Sequence, residues 1–257
     1  MVLAVDVGNH KIAFALFNAL EPPVNTVAVK TASVTQGSER AALKGPLDAL
    51  GAGSQHLEAA VIASVVPELT SIVEETVREV CPQVLILDDK TPTGMQIDYH
   101  PPSDLGPDRI ANALAGFHLF GGPCCVVDFG TATTFDVVSA QGGFAGGAIA
   151  PGMATAAESL YQNAARLKHP GWQAPEKALG QSTAECLLSG TVLGYAGMVD
   201  HMVRLLEEEA GPFLRVVATG GMAPFLAKVA VSFDTVRPAL TLEGLNVAYH
   251  RVRGEHK

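Results

Sequence analysis

The strongest constraint in this sequence is a hairpin signature that occurs twice. Val2-Leu3-Ala4-Val5 runs into Asp6-Val7-Gly8-Asn9-His10-Lys11, and Ile12–Phe17 follows. Much later, Cys125-Val126-Val127 runs into Asp128-Phe129-Gly130-Thr131-Ala132-Thr133-Thr134-Phe135-Asp136, then Val137-Val138 and a turn at Gln141-Gly142-Gly143. Each copy reads as an apolar strand, a tight polar turn and a second strand. Asp and Gly are ordinary turn residues, so one copy would mean little. Two copies, each framed by strands, predict two related halves facing one cleft. Such turns bring backbone N–H groups and hydroxyls onto a phosphate. The aspartates can hold a cation or the water around it.

Composition narrows the classes. The chain has 257 residues, enough for one large or two small domains. At 48% hydrophobic and 17% charged it is a compact globular chain rather than a disordered one. A net charge of −9 argues against a general nucleic-acid binder, which needs a basic face. A local phosphate site stays open, because backbone amides and a few cations suffice. The cysteines at 81, 124, 125 and 186 lack metal-like spacing and are expected to be buried free thiols in a reducing compartment. The sequence opens directly on a strand, and no apolar run reaches the length of a membrane span. The expectation is a cytoplasmic protein with no membrane partner.

Along the chain, three strands are expected within 1–30, then a helix with Leu43 and Leu47, a strand at Ala59–Ala63, a helix from Leu69 to Val80 and a strand at Val84–Leu87. Gly106-Pro107 marks the start of another helix, with Asp108 and Arg109 in its first turn. Gly121-Gly122-Pro123 is the clearest break, which predicts domains at 1–120 and 121–257. The second half repeats the pattern: strands at Cys125–Phe129, Thr133–Val138 and Phe144–Ile149, a helix after Pro151-Gly152, and a helix from about Ala184 interrupted between Gly190 and Gly194. A strand at Arg215–Ala218 ends in Thr219-Gly220-Gly221, and a last helix begins around Pro238–Leu245. Strands alternating with helices imply sheets covered by helices, an α/β fold.

An Asp-x-Gly turn closing the first strand of each half resembles the actin-like ATPase and sugar-kinase superfold, with ribonuclease H-like domains and the active site in the cleft between them. Thr219-Gly220-Gly221 is similar to that superfold's adenosine-side turn. The ordered set Asp6-x-Gly-Asn9, Ser64-Val-Val-Pro67, Tyr99-x-x-Pro102, Gly106-x-Asp108-Arg109, Asp128–Asp136, Gly146-Gly147 with Pro151-Gly152, Thr183 with Ser189-Gly190, Thr219–Gly221 and Leu240–Leu245 looks like a type III pantothenate kinase over essentially the whole chain.

That resemblance implies ATP-dependent phosphorylation of pantothenate, the first step of coenzyme A biosynthesis, by a homodimer. It puts the ATP loop on Asp6, Val7, Gly8, Asn9, His10, Lys11, Ile12 and Ala13, with Thr131 a further ATP contact. Asp6 would orient Mg²⁺, and Asp128 would hold K⁺ or NH₄⁺. Pantothenate would meet Tyr99, Gly106, Pro107, Asp108, Arg109 and Thr183. Asp108 would be the catalytic base, its pKa held low by the helix N-terminus. Arg109 supplies a fork suited to a carboxylate. Three positions depart from the pattern. His10 stands where Thr is usual, Pro107 where a small residue is usual, and Ser182 where Asn is commoner. A non-catalytic regulator of the same family is the rival that a drifted ATP loop would suit. A kinase acting on another small hydroxylated acid is a second rival. A Rossmann dinucleotide enzyme is poorly supported, since the first strand leads to a second strand and not to a glycine-rich turn and helix.

Overall fold

A computed structural model describes residues 1–34 and 37–255. The chain divides into two compact units. One comprises Met1–Leu119, Gly142–Phe144 and the C-terminal segment from Ala239, and the other Phe120–Gln141 and Ala145–Pro238.

The first unit holds β1 (Val2–Val7), β2 (Lys11–Phe17), β3 (Asn25–Lys30), α1 (Glu39–Ala49), β4 (Ala59–Ser64), α2 (Pro67–Arg78), β5 (Val84–Ile86) and α3 (Pro107–Phe120). Its sheet has the order β3-β2-β1-β4-β5. β1 is antiparallel to β2 and parallel to β4, with Asp6 opposite Ala13 on one side and Ala63 on the other. Strand side chains alternate between faces. Leu3, Val5 and Val7 point into an apolar cluster with Ile12, Phe14, Ile62, Leu43 and Leu47 of α1, and Val73 and Val77 of α2. Val2, Ala4 and Asp6 therefore share the opposite face.

The second unit holds β6 (Cys124–Phe129), β7 (Ala132–Val138), most of β8 (Phe144–Pro151), α4 (Met153–Asn163), α5 (Thr183–Leu188), α6 (Gly194–Ala210), β9 (Arg215–Gly220), α7 (Ala223–Leu226) and β10 (Thr235–Val236). Its sheet runs β10-β9-β6-β7-β8, the first sheet's order with each strand replaced by its counterpart. Cys125, Val127, Phe129, Phe135, Val216 and Ala218 build its apolar cluster with Val199 and Val203 of α6 and Leu226 of α7. Met202 and Leu206 of α6 pack against the same cluster. A π-helical turn at Ser189–Leu193 joins α5 to α6, where the two glycines predicted an interruption.

α8 (Leu240–Val252) differs from the predicted division at 121–257, because it groups with the first unit. It packs on β1, β4 and β2, on the side rich in alanine, where Ala4, Ala15 and Ala63 leave room for a helix. The two-residue β10 escaped sequence reading, being too short for a period to show. Cysteines 81, 124 and 125 are buried free thiols, with burial pushing Cys124 up to about 12. Cys186 corrects the expectation, since the sparsely covered α5 leaves it exposed. No helix among the described residues is long and apolar enough to cross a membrane.

Candidate active site

The first hairpin closes tightly. Gly8 N–H donates to Lys11 C=O at 3.0 Å, and a Cβ on Gly8 would sit 3.1 Å from that oxygen. Thr31 locks the turn from outside: its hydroxyl donates to Gly8 C=O at 2.6 Å and its N–H to His10 C=O at 3.0 Å. Val7, Ile12 and Ala13 are buried, whereas Asn9, His10 and Lys11 are exposed at the turn. Asp6, half-buried, closes β1 just before it.

The second hairpin has the same plan. Asp128 lies opposite Thr134 and Phe129 opposite Thr133, with Gly130 N–H donating to Ala132 C=O at 3.0 Å across the turn. The start of α4 pins Thr131. Its carbonyl accepts from Gly152 N–H at 2.9 Å and from the Thr155 hydroxyl at 2.8 Å. A Cβ on Gly152 would lie 2.4 Å from Gly130 C=O, so glycine is required there. Tyr195 of α6 braces the hairpin from its apolar side, its hydroxyl 2.6 Å from Thr133 Oγ1 and donating to Pro151 C=O at 2.9 Å. On the opposite face, β9 places Thr219 beside Asp128.

The start of α3 is tightly built. Pro107 takes the first helical position, where a missing N–H costs the helix nothing. Gly106 C=O accepts from the N–H groups of Arg109 and Ile110, both at 3.1 Å. The Asp108 carboxylate folds back over Gly106, within 2.4 Å of where a Cβ would stand, and its Oδ1 accepts from Arg109 N–H at 2.9 Å. Burial raises the proton affinity of Asp108 above the usual carboxylate range. Arg109 N–H and the Arg109 charge oppose this without cancelling it. This corrects the expectation of a low pKa: desolvation outweighs the helix N-terminus.

Arg109 is buried, with its guanidinium carbon 5.6 Å from the Tyr99 ring centre and 5.3 Å from that of Phe144. The two rings meet edge-on at 5.9 Å. Phe144 is held by the backbone on both sides. Its N–H donates to Gln96 C=O at 2.8 Å, and its C=O accepts from Asp98 N–H at 2.9 Å. The structure thus gathers Tyr99, Gly106, Pro107, Asp108 and Arg109, and adds Phe144, which sequence reading took only as the start of a strand. Thr183 belongs to the second unit, at the exposed start of α5. There Ser182 caps the helix, accepting from Glu185 N–H at 3.3 Å. Ser182 at this position is therefore a working N-cap.

Comparison with known proteins supplies the family. A model of the type III pantothenate kinase family matches residues 2–205. A type III pantothenate kinase of Moorella thermoacetica is 36% identical over 252 residues, 98% of this chain and 99% of that protein. The chain belongs to the type III pantothenate kinase family. A second type III pantothenate kinase, from Roseiflexus castenholzii, is 37% identical over 258 residues, 98% of this chain and 100% of its own length. A solved ROK family glucokinase from Streptomyces griseus, in complex with glucose and AMPPNP, aligns with a TM-score of 0.55 at 11% identity, covering 95% of this chain and 97% of that one. This likeness and the repeated sheet order bear out the actin-like, two-domain fold class. In this pantothenate kinase family member the residues that could hold a cation are Asp6 and Asp128, both hard oxygen donors suited to Mg²⁺ or an alkali ion. Among the described residues there is no group of three or more His, Cys, Asp or Glu placed to cage a metal.

Proposed function

We propose that this enzyme transfers the γ-phosphoryl group of ATP to the 4′-hydroxyl of pantothenate, the first step of coenzyme A biosynthesis. The observation that carries this reading is the start of α3, where a carboxylate of raised proton affinity is fixed beside a buried guanidinium. Asp108 accepts the hydrogen bond of the attacking hydroxyl and aims it. Its raised proton affinity makes it a better acceptor than an ordinary aspartate. Phosphoryl transfer is loose, so this aim matters more than strong abstraction. Arg109, held rigid over Tyr99 and Phe144, takes the pantothenate carboxylate, and Thr183 supplies a further contact. The turn from Gly8 to Lys11 offers backbone N–H groups and donors to the phosphates, with Thr131 adding to them. His10 keeps a polar ring at the turn while Thr31 supplies the structural hydroxyl. Mg²⁺ near Asp6 and K⁺ or NH₄⁺ near Asp128 would neutralise polyphosphate charge. We read the protein as a cytoplasmic homodimer.

The regulatory alternative is not favoured, since Asp6, Asp108, Arg109 and Asp128 are all present and the curated relatives are named as kinases. The decisive experiment is a coupled kinase assay with ATP, pantothenate, Mg²⁺ and K⁺. Wild-type protein turns over, and Asp108→Asn loses about 10²–10⁴-fold in kcat. An Asp108→Asn variant with unimpaired turnover would remove Asp108 from the chemistry. A wild-type protein that binds pantothenate in calorimetry but never turns over would restore the regulator.

A further inference from the structure

Both strands flanking Asp128 put a hydroxyl beside it. β6 pairs in parallel with β9, Asp128 opposite Thr219, and antiparallel with β7, Asp128 opposite Thr134. Residues opposite each other on neighbouring strands point to the same face. Cys125, Val127, Phe129, Val216 and Ala218 point into the unit's apolar cluster. Asp128, Thr134 and Thr219 therefore stand together on the other face. Asp136, two residues beyond Thr134, is on that face too and is wholly buried.

The two hydroxyls differ in what they do. Thr134 Oγ1 donates to Asp136 Oδ2 at 3.3 Å. Thr219 is 1% exposed, and its Oγ1 has no hydrogen-bond partner. Native proteins rarely leave a buried hydroxyl so, and the exception calls for a group that meets it. The Asp128 carboxylate leans the same way. Gly220 has φ of +87°, and a Cβ there would lie 2.5 Å from Asp128 Oδ1. Glycine after Thr219 thus lets the carboxylate lie against that strand end.

We propose that Thr219 supplies a second oxygen to the monovalent cation held by Asp128, a reading that rests on the cation role given to Asp128 above. Side chains on adjacent strands stand about 5 Å apart, a span that one ion bridges. The Thr219 hydroxyl turns a lone pair to the ion. The carboxylate supplies the charge, with Asp136 adding to the negative field from one step along the sheet. Hydroxyl and carboxylate oxygens suit a hard alkali ion. Thr219 is here a binding residue for the ion and not a participant in phosphoryl transfer.

The test is thermal unfolding of the whole protein, titrated with KCl against tetramethylammonium chloride at constant ionic strength. An ion that binds only the folded state raises Tm with concentration. Wild-type protein is expected to show a K⁺-specific rise, and Asp128→Asn none. Thr219→Val, which keeps shape and loses the hydroxyl, needs about 10-fold more K⁺ for half the rise, while Thr219→Ser stays near wild type. A Thr219→Val protein that titrates like wild type, beside a silent Asp128→Asn, overturns the role of Thr219 and leaves Asp128 standing. A wild-type protein with no K⁺-specific rise, or an Asp128→Asn variant that keeps it, overturns the reading of Asp128 itself. If Thr219→Val fails to fold, wild-type crystals soaked in thallium(I) decide. An anomalous peak within bonding distance of both Asp128 and Thr219 Oγ1 supports the proposal, and a peak at Asp128 alone refutes it.

Discussion

Asp108 meets opposing demands. Catalysis needs its charged form, and burial penalises that form. Because its folded-state pKa lies above the unfolded value, the folded protein binds this proton more tightly. The sign follows. Below the unfolded pKa both states are protonated and the residue contributes no penalty. As pH climbs through the ordinary carboxylate range and on to the raised pKa, the unfolded state ionises first and the fold loses stability. At neutral pH Asp108→Asn should therefore be more stable than wild type, although it is nearly inactive. The gain should vanish as the medium is acidified. Thermal melts across pH 4–8 check this, and an equal or lower Tm for the variant at neutral pH would contradict it. The same shift should carry the acid limb of the wild-type kcat/KM profile above the usual carboxylate range, since that limb reports the free enzyme.

At the scale of elements, the contact between α3 and α8 governs where Asp108 sits. Gly244 lies so close that a Cβ would be 1.9 Å from Ala111 C=O, one turn beyond Asp108. Thr241 adds a hydroxyl donated to Asn112 Oδ1 at 2.9 Å. Gly244→Ala cannot be absorbed by a side chain, because the obstacle is backbone. It should cost about 1–3 kcal/mol as the helices part. Its kcat should fall as well, because the turn bearing Asp108 shifts. A melt and a kinase assay on one preparation check both effects, and a silent variant would show that the helices yield freely. The strands, both hairpins and the helix starts were legible in the sequence, because period-two alternation and Gly, Pro or Asp punctuation are local signals. The placement of Asp6 and Asp128 near their strand ends and of Asp108 in the first turn of α3 was legible as well. The rest depends on chain segments that meet only after folding. The aromatic bracket of Phe144 around Arg109, the orphaned Thr219 hydroxyl beside Asp128 and the grip of α8 on α3 have no local signal. The raised pKa of Asp108 also escaped, since a helix start predicts the opposite and only burial reverses it.

At the scale of the whole molecule, the repeated sheet order explains why the two aspartates are twins. Each closes the central strand of its sheet, on the face opposite its own unit's apolar cluster. The repeat is broken by the chain's last segment, for α8 closes the first unit's sheet although it follows the second unit in sequence. The stability of β1, and with it the placement of Asp6, therefore depends on residues at the far end of the chain. Leu245, fully buried on α8, probes this dependence. Leu245→Ala should cost about 2–5 kcal/mol, as large-to-small core changes do. The loss should fall unevenly. The cluster around β6 and β9 is built from residues between Cys125 and Val236, none of them on α8. Hydrogen exchange should thus quicken most at amides of β1, β2 and β4, with β6 and β9 better protected, because local openings follow the unit that lost its packing. Equal acceleration in both sheets would mean that the two cores open as one and that α8 does not belong to the first unit alone.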